Sequence, residues 1–233
     1  MRNAANPFTD PAQVRDALYA SADRIAQRTG ALLRARVTGR HAGEVIADLA
    51  YQAIGTNGVL VADLGCGRGT TTRMLADRLP AARLVAVDLS AALLAASTRR
   101  LAGSARAGTV RADFRRLPFP DDSCGLVVAA FCLYHSPSPG SVITEITRCL
   151  LPGGTVIFAV KSVTHETHRF TFPGLADVAE YLATSPKYDL PPALAASPAA
   201  LATAMRQRIP DAPVTATSVV TYLVAHRPPG AAP

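Results

Sequence analysis

Twelve residues constrain what this chain can fold into: Val59-Leu60-Val61-Ala62-Asp63-Leu64-Gly65-Cys66-Gly67-Arg68-Gly69-Thr70. The apolar run reads as a strand buried on both faces, and the alternate glycines after it allow a sharp turn. Three threonines, Thr70 to Thr72, then open a helix whose first N–H groups they can cap. Such a strand, turn and helix let the backbone approach a nucleotide-like ligand closely. The glycine spacing departs from the G-x-G-x-x-G of a dinucleotide site, and the G-K-S/T of a phosphate loop is absent.

The same alternation continues beyond this run. Short apolar segments at Val59 to Ala62, Leu84 to Val87, Thr109 to Ala112, Gly125 to Phe131 and Thr155 to Val160 alternate with helical stretches. Those stretches are Thr70 to Leu79, Ser90 to Leu101 with a serine cap, and Pro139 to Leu150 before Pro152-Gly153-Gly154. This is the β-α-β pattern of a parallel sheet covered by helices. Upstream, Pro11 to Gln52 carries apolar residues at helical spacing and predicts two or three helices. Downstream, helices near Leu175 to Ala183 and Ala199 to Arg208 precede a β-rich ending from Val214 to His226.

Carboxylates fall at the ends of these strands. Asp63 stands two residues before Gly65, Asp88 ends the second strand and Asp113 ends the third. Asp88 is placed to accept two hydrogen bonds from a ribose diol, and Asp113 to accept one from the exocyclic amino group of an adenine.

Four blocks now stand in order: D-L-G-C-G-R-G-T, V-A-V-D-L-S, A-D-F-R-R-L-P-F-P-D-D-S-C-G-L-V-V and E-I-T-R-C-L-L-P-G-G-T-V-I-F. From Val59 to Val160 the chain resembles the class I S-adenosylmethionine-dependent methyltransferases, most closely the type 11 methyltransferase family. The resemblance implies an α/β Rossmann-like sheet of seven strands in the order 3-2-1-4-5-7-6, the seventh antiparallel, with an N-terminal helical cap. It implies S-adenosylmethionine as cofactor, its methionine end lined by Asp63, Gly65, Cys66 and Gly67. Asp88 would hold the ribose with Leu89 against the adenine, Asp113 and Phe114 would read the adenine edge, and Phe131 with Cys132 would close the site beneath the sulfonium. Tyr19 resembles the tyrosine that covers the cofactor in such enzymes.

Methyl transfer needs donor and acceptor aligned in a dry site, and a base where the acceptor is oxygen or nitrogen. Tyr134 and His135, just after the fourth strand, are the catalytic candidates, with His135 as base. His165 and His168, in K-S-V-T-H-E-T-H after the fifth strand, and Tyr181 are candidates for the acceptor pocket. Their spacing lacks the H-E-x-x-H of a zinc site, and no metal is predicted.

The reading is one domain over residues 1–233, with a helical cap at 1–55, a cofactor core at 56–160, and an acceptor lid with the final strands at 161–233. A charge of +7 raises nucleic acid as a partner, but the bases are nearly all arginine in an alanine-rich chain. Their one concentration, Arg24, Arg28, Arg34, Arg36 and Arg40, follows a helical spacing that fits a solvated face. A small-molecule acceptor, an oxygen or nitrogen nucleophile of secondary metabolism, is therefore the first reading. A tRNA or rRNA base is the alternative, and a cofactor-binding protein without methyl transfer a third. The four cysteines form no C-x-x-C pair and read as reduced thiols of a cytoplasmic protein, and no apolar run is long enough for a membrane span.

Overall fold

The computed structural model describes residues 22–184 and 190–229. Its elements, in chain order, are α1 (Ala22–Ala35), α2 (Ala42–Ile54), β1 (Leu60–Leu64), α3 (Thr70–Arg78), β2 (Arg83–Asp88) and α4 (Ala91–Leu101). There follow β3 (Ala107–Arg111), β4 (Cys124–Ala130), a 3-10 turn (Leu133–His135), α5 (Pro139–Cys149) and β5 (Leu150–Phe172). The chain ends with α6 (Leu175–Thr184), α7 (Pro192–Ala195), α8 (Pro198–Arg206) and β6 (Val214–His226). Chain contacts gather these into two compact units, Arg40–Lys161 with Thr221–Pro233, and Met1–Gly39 with Ser162–Val220.

The first unit contains the sheet. Strand order is 3-2-1-4-5-6, and β1 to β5 pair in parallel. β6 is antiparallel, its Arg227 end exchanging backbone hydrogen bonds with Gly153 and Gly154 at the start of β5. Among the described residues six strands stand where seven are expected. Among the described residues after β5, only 214–226 form a strand, because the alanine- and proline-rich stretch before it folds into three helices; β6 takes the antiparallel place beside β5.

Both faces of the sheet are covered, which is why β4, and β1 apart from Asp63, read as near-continuous apolar runs. Ile46, Ala50 and Ile54 of α2 and Leu75 of α3 pack on Val61, Leu126 and Ile157 on one face. Val142, Ile146 and Cys149 of α5 pack on Ala62, Val127 and Leu150 on the other. α2, grouped in sequence with an N-terminal cap, thus belongs to the core of the sheet. Ser90 caps α4 as its sequence predicts, accepting from the Leu93 N–H at 3.3 Å. The threonines of α3 do not cap it: Gly69 is the N-cap residue and makes no side-chain cap, while Thr70 and Thr72 bond elsewhere.

In the second unit β5 continues far past Val160. Residues 168–172 keep the period of two, with His168 and Phe172 buried and Arg169 exposed, and residues 36–38 pair antiparallel against Arg169 and Phe170. β-branched and aromatic residues make this polar stretch a strand. α6 and α8 meet through small residues, Ala179, Ala183 and Ala202 with Leu201, and Asp211 accepts from the first N–H of α6 at 2.8 Å.

Leu126 lies fully buried at the centre of the sheet, whereas Leu223 is 51% exposed on β6. Leu126→Ala is expected to lower the unfolding free energy by about 2–5 kcal/mol, and Leu223→Ala by less than about 0.5 kcal/mol. Urea denaturation of the two variants beside the parent measures both.

Candidate functional site

The carboxyl ends of β1, β2 and β4 lie side by side, with Leu64 in register with Val87 and Ala129. The chain leaves β1 through a turn whose three glycines all have positive φ: 61° at Gly65, 55° at Gly67 and 72° at Gly69. Packing adds a second demand at two of them. A Cβ on Gly65 would sit 2.5 Å from the Cys132 Cβ, and one on Gly69 would sit 2.4 Å from the Ser97 Oγ. At Gly67 nothing lies within 4 Å of that position, so this glycine faces open space.

Two carboxylates flank the turn. Asp63 is 2% exposed and its Oδ2 accepts from the Thr72 hydroxyl at 2.5 Å. Burial pushes its carboxyl up to about 7, the Thr72 bond opposes this, and the charge of Asp88 adds to it. Asp88 accepts the Gly67 N–H on Oδ2 at 2.9 Å and the Ser90 N–H on Oδ1 at 2.8 Å. Burial raises its pKa as well, against those backbone bonds. Leu89, next in the chain, is 57% exposed beside it.

The third carboxylate behaves differently. Asp113 is engaged by the Arg115 guanidinium on both oxygens, at 3.0 and 2.5 Å, which holds its pKa below the usual carboxylate range. Phe114 packs against the core on the α5 side of the sheet. Cys66, between two of the glycines, turns its thiol inward beside Ala86, Leu94 and Leu101, and burial pushes the thiol pKa up. Within the turn that thiol donates to the Gly67 carbonyl at 3.6 Å, and the Cys66 N–H donates to the Val87 carbonyl at 3.0 Å.

β4 leaves the sheet through a second unusual backbone. Phe131 has φ of 56° and donates its N–H to the Ala159 carbonyl at 2.8 Å. A non-glycine residue rarely takes this conformation, and such outliers gather at functional sites. The bend carries Cys132 under Gly65 and starts the 3-10 turn, where Tyr134 is 44% exposed with its ring centroid 4.3 Å from that of His135.

The remaining candidates fall outside the described residues or in the second unit. Tyr19 lies outside the described residues, and of His165 only the backbone, within β5, is described. His168 and Tyr181 belong to the second unit. The His168 ring is buried against Gly39 and stacks on Phe170 at 6.4 Å, and Tyr181 leans on Phe172 at 6.0 Å. Among the described residues no group of three or more His, Cys, Asp or Glu could hold a metal ion. Two further side chains brace the site: Thr72, which the sequence offers only as a helix cap, and Arg100, which no sequence pattern singles out. Both act across the fold, Thr72 on Asp63 and Arg100 on the Arg68 carbonyl.

The acidic lining fits an S-adenosyl nucleoside: carboxyl oxygens suit its hydroxyl and ammonium groups and disfavour phosphate, and Gly67 leaves room for a ligand to lie against the backbone.

Residues 62–158 match the profile of the family described as "Methyltransferase domain". A demethylmenaquinone methyltransferase of Clavibacter sepedonicus is 39% identical over 100 residues, 43% of this chain and 40% of that protein. A malonyl-(acyl-carrier protein) O-methyltransferase of Marinomonas sp. is 36% identical over 103 residues, 44% of this chain and 38% of that one. The chain thus spans about two fifths of the length of these curated relatives in the matched segment. Among solved structures, the cyclase SpnF superposes with a TM-score of 0.56 at 21% identity, covering 84% of each chain, which establishes the shared fold.

Two outcomes follow from this geometry. Gly65→Ala combines a positive φ with a clash against Cys132 and is expected to destabilise the protein by at least about 1–3 kcal/mol, measured by thermal unfolding. Asp63 holds a proton in the folded state between pH 3.8 and about 7 that the unfolded chain has released, so stability falls as pH rises through that window. Relative to Asp63→Asn, the parent is expected to lose up to roughly 4 kcal/mol between pH 4 and pH 8, read from denaturation at each pH.

Proposed function

We propose that this chain, whose residues 62–158 are a methyltransferase domain of the class I S-adenosylmethionine-dependent fold, transfers a methyl group to an oxygen or nitrogen nucleophile of a small molecule in secondary metabolism. The observation that carries the reading is the glycine turn with Asp63 and Asp88 on either side of it. S-adenosylmethionine, when bound, supplies a methyl group on a positively charged sulfur. Asp88 would take the ribose hydroxyls, Leu89 would cover the adenine, and Asp63 with the backbone of Gly65 and Gly67 would meet the methionine end. Asp113 would reach the adenine edge only by sharing its oxygens with Arg115.

On the acceptor side, His135 is the base in this reading, taking the proton of an acceptor hydroxyl or amine as it is methylated. Tyr134, exposed beside it, would contact the acceptor. A small acceptor is favoured over RNA because the arginine run is partly neutralised: Arg34 pairs with Glu180 at 2.9 Å and Arg40 with Asp48 at 2.5 Å. No helix among the described residues is long and apolar enough to cross a membrane.

Isothermal titration calorimetry with S-adenosylhomocysteine tests the cofactor. The parent is expected to bind, and Asp88→Ala to bind at least several-fold more weakly, since a charged acceptor of two hydroxyls is lost; equal affinity in the two proteins refutes the assignment. Once an acceptor is found, His135→Ala is expected to reduce turnover while cofactor affinity stays within about twofold, as for a base that contributes about 10²–10⁴ in rate.

A further inference from the structure

We propose that Arg100 is a positioning residue for the cofactor: it holds the Arg68–Thr70 part of the glycine turn in its binding shape, an inference that rests on the reading of the site given above. Arg100 lies in the last turn of α4, and its Nη1 donates to the Arg68 carbonyl at 2.9 Å and to the Thr70 hydroxyl at 2.6 Å. Three residues earlier, on the same face of the helix, Ser97 is fully buried where the turn comes closest. A Cβ on Gly69 would lie 3.1 Å from the Ser97 Cα, so the turn rests on the helix backbone there. The other end of α4 is tied as well, because Asp88 accepts from both Gly67 and Ser90, the cap of that helix.

The two ties respond differently to a ligand. Asp88 must share its oxygens with the ribose hydroxyls, which loosens its hold on the Gly67 N–H. The acceptors of Arg100, a main-chain carbonyl and a threonine hydroxyl, have no part in recognising the nucleoside, so that tie persists. Partial burial, together with the nearby charge of Arg68, disfavours the cationic form of Arg100. A cation kept in such surroundings is held by its two acceptors, and they are the positions where the chain passes from the turn into α3.

A single nitrogen serves both acceptors, so a lysine ammonium with three donors can replace it, and an isosteric apolar chain cannot. The test compares Arg100→Met and Arg100→Lys with the parent by calorimetry, using two ligands, S-adenosylhomocysteine and adenosine. Arg100→Met is expected to weaken S-adenosylhomocysteine about tenfold while adenosine, which lacks the homocysteine end, changes less than about twofold; Arg100→Lys is expected to recover affinity to within about threefold. S-adenosylhomocysteine affinity unchanged in Arg100→Met, or an equal loss for both ligands, overturns the proposal. Should Arg100→Met fail to fold, Thr70→Val decides, with an expected loss of about threefold for S-adenosylhomocysteine alone and no change as the contrary result. A parent that binds neither ligand overturns the cofactor reading itself, an outcome distinct from variants that match a parent that binds.

Discussion

Between β1 and α3 the chain must make a tight turn with three left-handed residues in five, at Gly65, Gly67 and Gly69. Side chains at the first and third would strike Cys132 and Ser97, so the turn is pressed against the exit of β4 on one side and against α4 on the other. Every other feature of the site refers to this turn. Asp88 reaches into it for the Gly67 N–H, Arg100 for the Arg68 carbonyl, and the Phe131 backbone bends to bring Cys132 beneath it. Only Gly67 looks onto open space, and that is where a ligand can replace the missing side chain.

Charge then selects the kind of ligand. The chain carries an excess of +7, yet the groups around the turn on the β1 and β2 side are carboxylates, and burial makes both reluctant to ionise. A cation brought to them offsets that reluctance, and a phosphate would worsen it. Arginines elsewhere are spent on structure: Arg106 caps the carbonyls of Leu79 and Ala82, Arg148 joins Glu145 to Asp121, and Arg227 reaches Asp122. The basic surplus and the acidic site are separate features of one surface chemistry.

What the sequence discloses depends on how local each feature is. The strand, glycine turn and helix around Asp63, and the serine cap of α4, are legible because a few neighbouring residues decide them. The threonines at the start of α3 mislead for the opposite reason: Thr72 bonds Asp63, nine residues back, and Thr70 bonds Arg100, thirty residues on. Asp113 is legible as a strand-end acid, but Arg115, two residues away, claims its oxygens. β5 hides its length because its second half alternates polar and aromatic residues without an apolar run. The sheet stops at six strands among the described residues because one β-rich segment, not two, follows α8. The acceptor candidates His168 and Tyr181 find aromatic partners in their own unit, which spacing alone does not foretell.

In the proposed function the acidic glycine turn seats an S-adenosyl nucleoside. A crystal structure of the protein grown with S-adenosylhomocysteine tests it most directly. The ribose hydroxyls are expected on the Asp88 carboxylate and the homocysteine portion over the backbone of Gly65 and Gly67. Ligand found elsewhere on the molecule, or a turn left bare at saturating ligand, would contradict it.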